Sequence, residues 1–198
     1  MIRRPPRSTP KPSSAASDVY KRQGIEGLEE RLGRRTVTTG CGQGTIYGSI
    51  LEELENIRLP KIRLSKETLY GLLKRIKDYN QVYRKSGAVH GCALCQQDEV
   101  IVFIEDVGRH NALDKLIGTL AGDYKLKENE LANGFLLISS RASYEMVQKT
   151  AISNIPILVA VSAPTSLAIR LAIETDVTLV GFARDGRHVC YTNSRRLK

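Results

Sequence analysis

Five short apolar runs punctuate the chain between residues 88 and 183: AVHGCAL (88–94), EVIVFIE (99–105), GFLLIS (134–139), ILVAVS (157–162) and VTLVGFA (177–183). They are rich in Val, Ile and Leu with little polar alternation, the pattern of strands covered on both faces. The first two flank the polar Gln96-Gln97-Asp98 and read as a hairpin. The others alternate with segments of helical periodicity. Leu113, Leu116, Ile117 and Leu120 make one helix, a short one lies around Tyr144–Ile152, and one over 165–175 follows Pro164. Upstream, Leu69, Leu72, Leu73 and Ile76 fall at i, i+3, i+4 and i+7 behind a Ser65 cap with Glu67 in the first turn. Such alternation predicts an α/β fold with a parallel or mixed sheet between helical layers.

Residues 1–23 do not belong to that pattern. They hold four of the seven prolines and almost no apolar side chain, so nothing there offsets the entropy of ordering, and a disordered tail is expected. The segment also resembles translated sequencing-adapter sequence, so a non-native segment with the natural protein truncated behind it is expected. It carries six basic residues and one acid, so +5 of the formal +9 sits there and the other 175 residues carry +4. The body has no run of like charge that marks a duplex-binding face, and no nucleic-acid partner is expected. No window approaches the run of about 18 apolar residues that spans a bilayer, so a soluble protein without a membrane partner is expected. Residues 24–64 read as a partial N-terminal region with strands at the ends of GRRTVTTGCGQGTIYGSI and a glycine-rich loop between them. Residues 65–198 form the α/β domain.

Four cysteines without a secretory signal indicate thiols for chemistry or metal rather than a disulfide framework, and a cytoplasmic location. Cys41 lies between Gly40 and Gly42, with Gly44 following, and so little bulk obstructs a large partner from reaching its sulfur. This suits a nucleophile or sulfur carrier; a glycine turn with a buried cysteine is the bland alternative. His90, Cys92 and Cys95 have a spacing zinc can use with a fourth ligand, yet Cys92 and Cys95 point to opposite faces of an extended strand, which favours packed thiols.

Three strand-to-helix turns carry polar residues. Glu105-Asp106-Val107-Gly108-Arg109-His110-Asn111 crowds two carboxylates, a guanidinium and an imidazole around one glycine, more than capping alone requires. Ser139-Ser140-Arg141-Ala142-Ser143 and Ser162-Ala163-Pro164-Thr165-Ser166 occupy the same place after later strands. Each alone reads as a helix cap. Together they predict a crevice along one sheet edge, lined by hydroxyls, helix amides, Arg109 and Arg141, suited to phosphate groups. Walker and G-x-G-x-x-G motifs are absent, which argues against nucleotide hydrolysis and Rossmann dinucleotide binding. The segment from Phe182 to Arg187 reads as a hairpin turning at Asp185-Gly186, able to aim Arg184 and Arg187 at an anion.

In order, EDVGRHNALDKLIG, SSRASYEMVQK, VSAPTSLAIRLA and TLVGFARDGR resemble the formate dehydrogenase accessory sulfurtransferases, the FdhD family, and the likeness runs from about Arg34 to Arg196. The resemblance implies a cytidine deaminase-like fold, a three-layer sandwich with a mixed sheet. It implies a sulfurtransferase that takes persulfide sulfur from a cysteine desulfurase and passes it to the molybdenum or tungsten bis(guanine dinucleotide) cofactor, bound as cargo, before formate dehydrogenase receives it. Cys41 matches the persulfide-bearing cysteine of the family's loop. Phe182, Ala183, Arg184, Asp185, Gly186 and Arg187 match its cofactor-binding stretch, with Arg109, His110, Arg141 and Ser143 expected beside them. A homodimer is expected, and no resident metal. Gly44 stands where many members have a second loop cysteine, and this departure sustains an alternative, a non-catalytic chaperone for the molybdenum cofactor. A third reading is a small zinc protein built on His90, Cys92 and Cys95.

Overall fold

The apolar runs become strands and the periodic segments become helices. A computed structural model describes residues 57–122, 133–184 and 186–198, and the backbone of 35–37 and 45–47. The chain divides into two compact units, Met1–Leu51 and Glu52–Lys198. In the first, strands β1 (Arg35–Val37) and β2 (Thr45–Tyr47) pair antiparallel, with Val37 opposite Thr45. The expected disordered tail at 1–23 lies outside the described residues.

The second unit holds helices α1 (Lys66–Tyr79) and α2 (Gln81–Ser86), strands β3 (His90–Gln96) and β4 (Glu99–Asp106), and helix α3 (Arg109–Gly122). These are followed by β5 (Gly134–Ile138), α4 (Tyr144–Ile152), β6 (Ile157–Ala160), α5 (Ser166–Glu174), β7 (Thr178–Arg184) and β8 (Arg187–Cys190). The six strands form one mixed sheet in the order β4-β3-β5-β6-β7-β8. β5, β6 and β7 run parallel, whereas β3 opposes both β4 and β5, and β8 opposes β7.

Ser65 caps α1 by accepting from the Thr68 N–H at 3.1 Å, and the helix lays Leu69, Leu72, Leu73 and Ile76 on the sheet. Those side chains share a core with Ala93, Cys95, Phe135, Leu137, Ile157, Val159, Val180 and Ala183. Residues of opposite parity, among them Cys92, Leu94, Leu136, Ile138, Leu158 and Ala160, are equally buried. They are covered from the other side by α3, α4 and α5, whose Leu113, Leu116, Met146, Val147 and Leu171 are buried as well. The architecture is the α/β sandwich with a mixed sheet that the sequence predicts.

The unit starts before the Ser65 periodicity. Leu59 and Leu64 are buried, and Leu64 pairs with Leu197. Arg196, 1% exposed, fastens this segment: its Nε donates to the Pro60 carbonyl at 2.9 Å, Nη1 to the Asp176 carbonyl at 2.7 Å, and Nη2 to the Asp176 carboxylate at 2.8 Å. A buried guanidinium is tolerable only with its donors satisfied in this way.

Candidate functional site

Because β4, β5, β6 and β7 share one direction, their C-terminal ends meet at one sheet edge, and the N-termini of β3 and β8 join them there. That edge collects His90, Asp106, Ser139, Arg141, Ser162, Arg184 and Arg187, as the three polar turns of the sequence imply. Ligands of open α/β sheets bind at this kind of edge.

On the α1 side of the edge lies an open cavity of about 1110 Å³. Its floor crosses the sheet through Phe103, Gly91, Leu137, Val161 and Ala183, from β4 to β7. Four inter-strand spacings make that about 19 Å. Tyr70, Lys74 and Lys77 of α1 form one wall, and Tyr83 and Arg84 of α2 with the following 87–89 form another. His90, Ser139, Arg184 and Gly186 stand at the edge. Among the described residues the lining thus carries Lys74, Lys77, Arg84 and Arg184 and no carboxylate. Among the described residues Lys74, Lys77 and Arg184 have no acidic partner, while Arg84 meets Asp78 at 3.2 Å. Burial, aided by the Arg109 charge, pushes the His90 imidazole below its usual range and keeps it neutral at pH 7. An apolar floor under unneutralised cations suits a flat ring system carrying phosphates.

Two backbone features shape the floor. A Cβ on Gly91 would stand 2.7 Å from Cζ of Phe103 and 3.2 Å from Oδ1 of Asn80, so only glycine lets both approach. In β7 the register shifts between Gly181 and Arg184, and Phe182 takes φ 51°, unusual for an aromatic residue. The bulge sets Val180 and Ala183 in the same core despite their odd spacing, and Phe182 is left exposed. Arg184 pairs with Arg187 across a tight hairpin, with Gly186 at φ 71°. The expected hairpin is therefore in place at Arg184, Gly186 and Arg187, and Asp185 lies outside the described residues.

Of the expected cofactor residues, Ala183, Arg184 and Gly186 line the cavity; Phe182 and Arg187 flank it without lining it. Arg109, His110, Arg141 and Ser143 do not line it either. His110 Nδ1 lies 2.7 Å from Glu145 and its Nε2 lies 3.3 Å from the Ser143 hydroxyl, which joins α3 to α4. Burial pushes the Glu145 carboxyl up, but Lys149 and His110 outweigh it and hold the group ionised below its usual range. The charged cluster at 105–111 is largely architectural. Asp106 accepts from the Gly108 N–H at 2.8 Å and from Lys115, and Glu105 holds α2. Thr165 is an ordinary cap, accepting from the Ala168 N–H at 3.2 Å, and the Ser139 hydroxyl accepts from the Gly91 N–H at 2.8 Å. The cavity residues that sequence reasoning passed over are Tyr70, Lys74, Lys77, Tyr83 and Arg84; on α1 the 70, 74, 77 spacing marks one helix face, which a sequence alone assigns to solvent.

Cys92 and Cys95 do not converge. Cys95 lies in the α1-side core and Cys92 on the opposite parity, both fully buried. Burial pushes both thiols up, Cys95 to about 12, and among the described residues no three His, Cys, Asp or Glu side chains are grouped as a metal requires. Their packed reading holds, and they do not form the zinc cluster of the third reading. Cys41 lies outside the described residues; the β1–β2 pair brackets the 38–44 segment that contains it.

The chain matches the family model described as the FdhD/NarQ family over residues 9–198. It is 37% identical over 187 residues to the sulfur carrier protein FdhD of Burkholderia mallei, covering 92% of this chain and 67% of that protein. The protein of the same name from Cupriavidus necator is 38% identical over 190 residues, with 92% and 61% covered. The one from Streptomyces coelicolor is 42% identical over 139 residues, with 70% and 48% covered. A crystal structure described as a formate dehydrogenase accessory protein, from Desulfotalea psychrophila, superposes with a TM-score of 0.67 at 26% identity, covering 89% of this chain and 75% of that one.

Proposed function

The chain belongs to the FdhD/NarQ family, and from that premise we propose that it is a sulfur carrier for formate dehydrogenase maturation. Cys41 takes sulfur from a cysteine desulfurase and passes it to the molybdenum or tungsten bis(guanine dinucleotide) cofactor held in the cavity. The observation that supports this reading is the cavity lining: an apolar floor of about 19 Å and, among the described residues, four cations and no carboxylate. Such a site accepts an anionic ligand with ring systems joined through phosphates, and the cofactor is cargo with that chemistry.

Loading is a thiol exchange. The Cys41 thiolate attacks the terminal sulfur of the desulfurase persulfide, the S–S bond breaks, and the desulfurase cysteine leaves as a thiolate while Cys41 becomes the persulfide. The sequence neighbours Gly40 and Gly42 add no side-chain bulk that would obstruct donor or acceptor. Phosphates of the cargo meet Arg184, Lys74 and Lys77, and the neutral His90 contributes a polar group without adding charge. The outer strand β4 keeps most side chains only half-buried, a sheet edge that a second copy covers in a homodimer. The protein works in the cytoplasm; no helix among the described residues is long and apolar enough to cross a membrane.

Complementation tests the proposal. In cells lacking their own accessory protein, the chain should restore formate dehydrogenase activity and Cys41→Ala should not. Full restoration by Cys41→Ala would replace the carrier with a cofactor chaperone.

A further inference from the structure

Tyr70 belongs to α1 and lines the cavity, yet its phenol oxygen is engaged from behind by a residue 118 positions away: His188 Nδ1, on β8, lies 2.8 Å from it. The two rings tilt by 52° with centroids 5.7 Å apart, so they meet through the hydrogen bond rather than by stacking. Among the described residues His188 is the one hydrogen-bond partner of the Tyr70 hydroxyl.

The direction of that bond decides what the cavity wall offers. A phenol O–H is a stronger acid than a neutral imidazole N–H, and an imidazole nitrogen is a stronger base than a phenol oxygen. With His188 neutral, the proton therefore runs from Tyr70 to Nδ1. Half-burial of His188, together with the nearby Lys66 charge, lowers its imidazole below the usual range and keeps it neutral. With its proton committed, the phenol oxygen has only lone pairs left to present.

We infer that Tyr70 is a specificity-determining residue of the cavity, held as a hydrogen-bond acceptor by His188, and that it reads the N–H edge of a 2-amino-4-oxopyrimidine ring. This inference rests on the cofactor reading above. Guanine and pterin share that ring, with its ring N–H and exocyclic amine as donors, and the cargo contains both. Arg184 also lines the cavity and pairs with Arg187, the neighbour of His188 on β8, which places a cation for a phosphate on the strand pair that holds the base-reading oxygen. His188 acts through Tyr70 and is a positioning residue.

The test is calorimetric titration of the full chain with three probes: guanosine 5′-monophosphate, 6-hydroxymethylpterin, and ribose 5-phosphate as the baseless control. Tyr70→Phe removes the acceptor and keeps the ring. It should weaken either the guanine or the pterin probe about tenfold, identifying the source, and leave ribose 5-phosphate unchanged. His188→Leu should reproduce that loss, whereas His188→Asn, whose amide oxygen takes the place of Nδ1, should restore most of the affinity. Nitrogen-15 NMR should show His188 Nδ1 as an unprotonated acceptor in the wild type and shifted in Tyr70→Phe. Wild-type binding that Tyr70→Phe leaves intact overturns the inference and spares the cofactor reading, as does a protonated Nδ1. Failure of the wild type to bind any of the probes overturns both.

Discussion

The carboxylate of Glu105, at the end of β4, accepts hydrogen bonds from the backbone N–H groups of Val82 and Tyr83, both at 2.8 Å. Helix α2 buries none of its six residues, so this bidentate cap and the left-handed Gly87 at its other end fix a wall of the cavity that packing does not hold. Glu105→Ala should therefore raise hydrogen exchange in residues 81–87 and weaken guanosine 5′-monophosphate binding several-fold. Its cost in global stability should stay near about 1 kcal/mol, the scale of a lost cap. Unchanged exchange in α2 would show that other contacts hold it.

Arg184 lines the cavity and Arg187, its hairpin partner, does not. Arg184→Ala should weaken nucleotide binding by roughly 1–3 kcal/mol, as loss of a charge-assisted bond does, and reduce the salt dependence of affinity. Arg187→Ala should stay within about threefold, the loss of a longer-range charge. Equal losses in both variants would mean that the ligand sits over the hairpin rather than beneath it.

The organisation of the sheet is legible in the sequence because continuous apolar strands admit few arrangements, and parallel connections between β5, β6 and β7 force their polar turns onto one edge. The face on which the site opens is not. His110 and Arg109 follow β4 directly, yet α3 carries His110 into contact with α4, and nothing in EDVGRHN encodes that side. QVYRKS lacks apolar periodicity, so α2 and its Tyr83 and Arg84 leave no helical signal. The β7 bulge depends on Gly181, where a Cβ would stand 2.9 Å from both Pro164 and Tyr191, contacts that only the fold creates. Tyr70 and His188 are too far apart in the chain for spacing to link them.

Burial that holds Cys92 and Cys95 protonated makes them inert in the native state. A maleimide probe at pH 8 should modify neither until denaturant unfolds the chain, and Cys92→Ala and Cys95→Ala should keep most sulfur loading. Fast native labelling of either thiol would contradict the packed assignment.

Burial pushes the Asp176 carboxyl up, but hydrogen bonds and charge from Arg196 and Arg195 prevail and hold it below the usual range. A carboxyl depressed in the folded state contributes stability above its unfolded value and loses it as pH falls through the folded one. Asp176→Asn should therefore cost roughly 1–3 kcal/mol at pH 7, tempered by the partial exposure of Asp176, and the difference from wild type should shrink below about pH 4. A pH-independent difference would mean that the amide's altered hydrogen bonding, not charge, is responsible.

Mass spectrometry of the intact protein after incubation with a cysteine desulfurase and cysteine tests the central claim most directly. The wild type should gain the mass of one sulfur atom, reversibly by reductant, and Cys41→Ala should gain none while binding guanosine 5′-monophosphate with nearly unchanged affinity. A Cys41→Ala protein that still takes up sulfur, or a wild type that never does, would contradict the account.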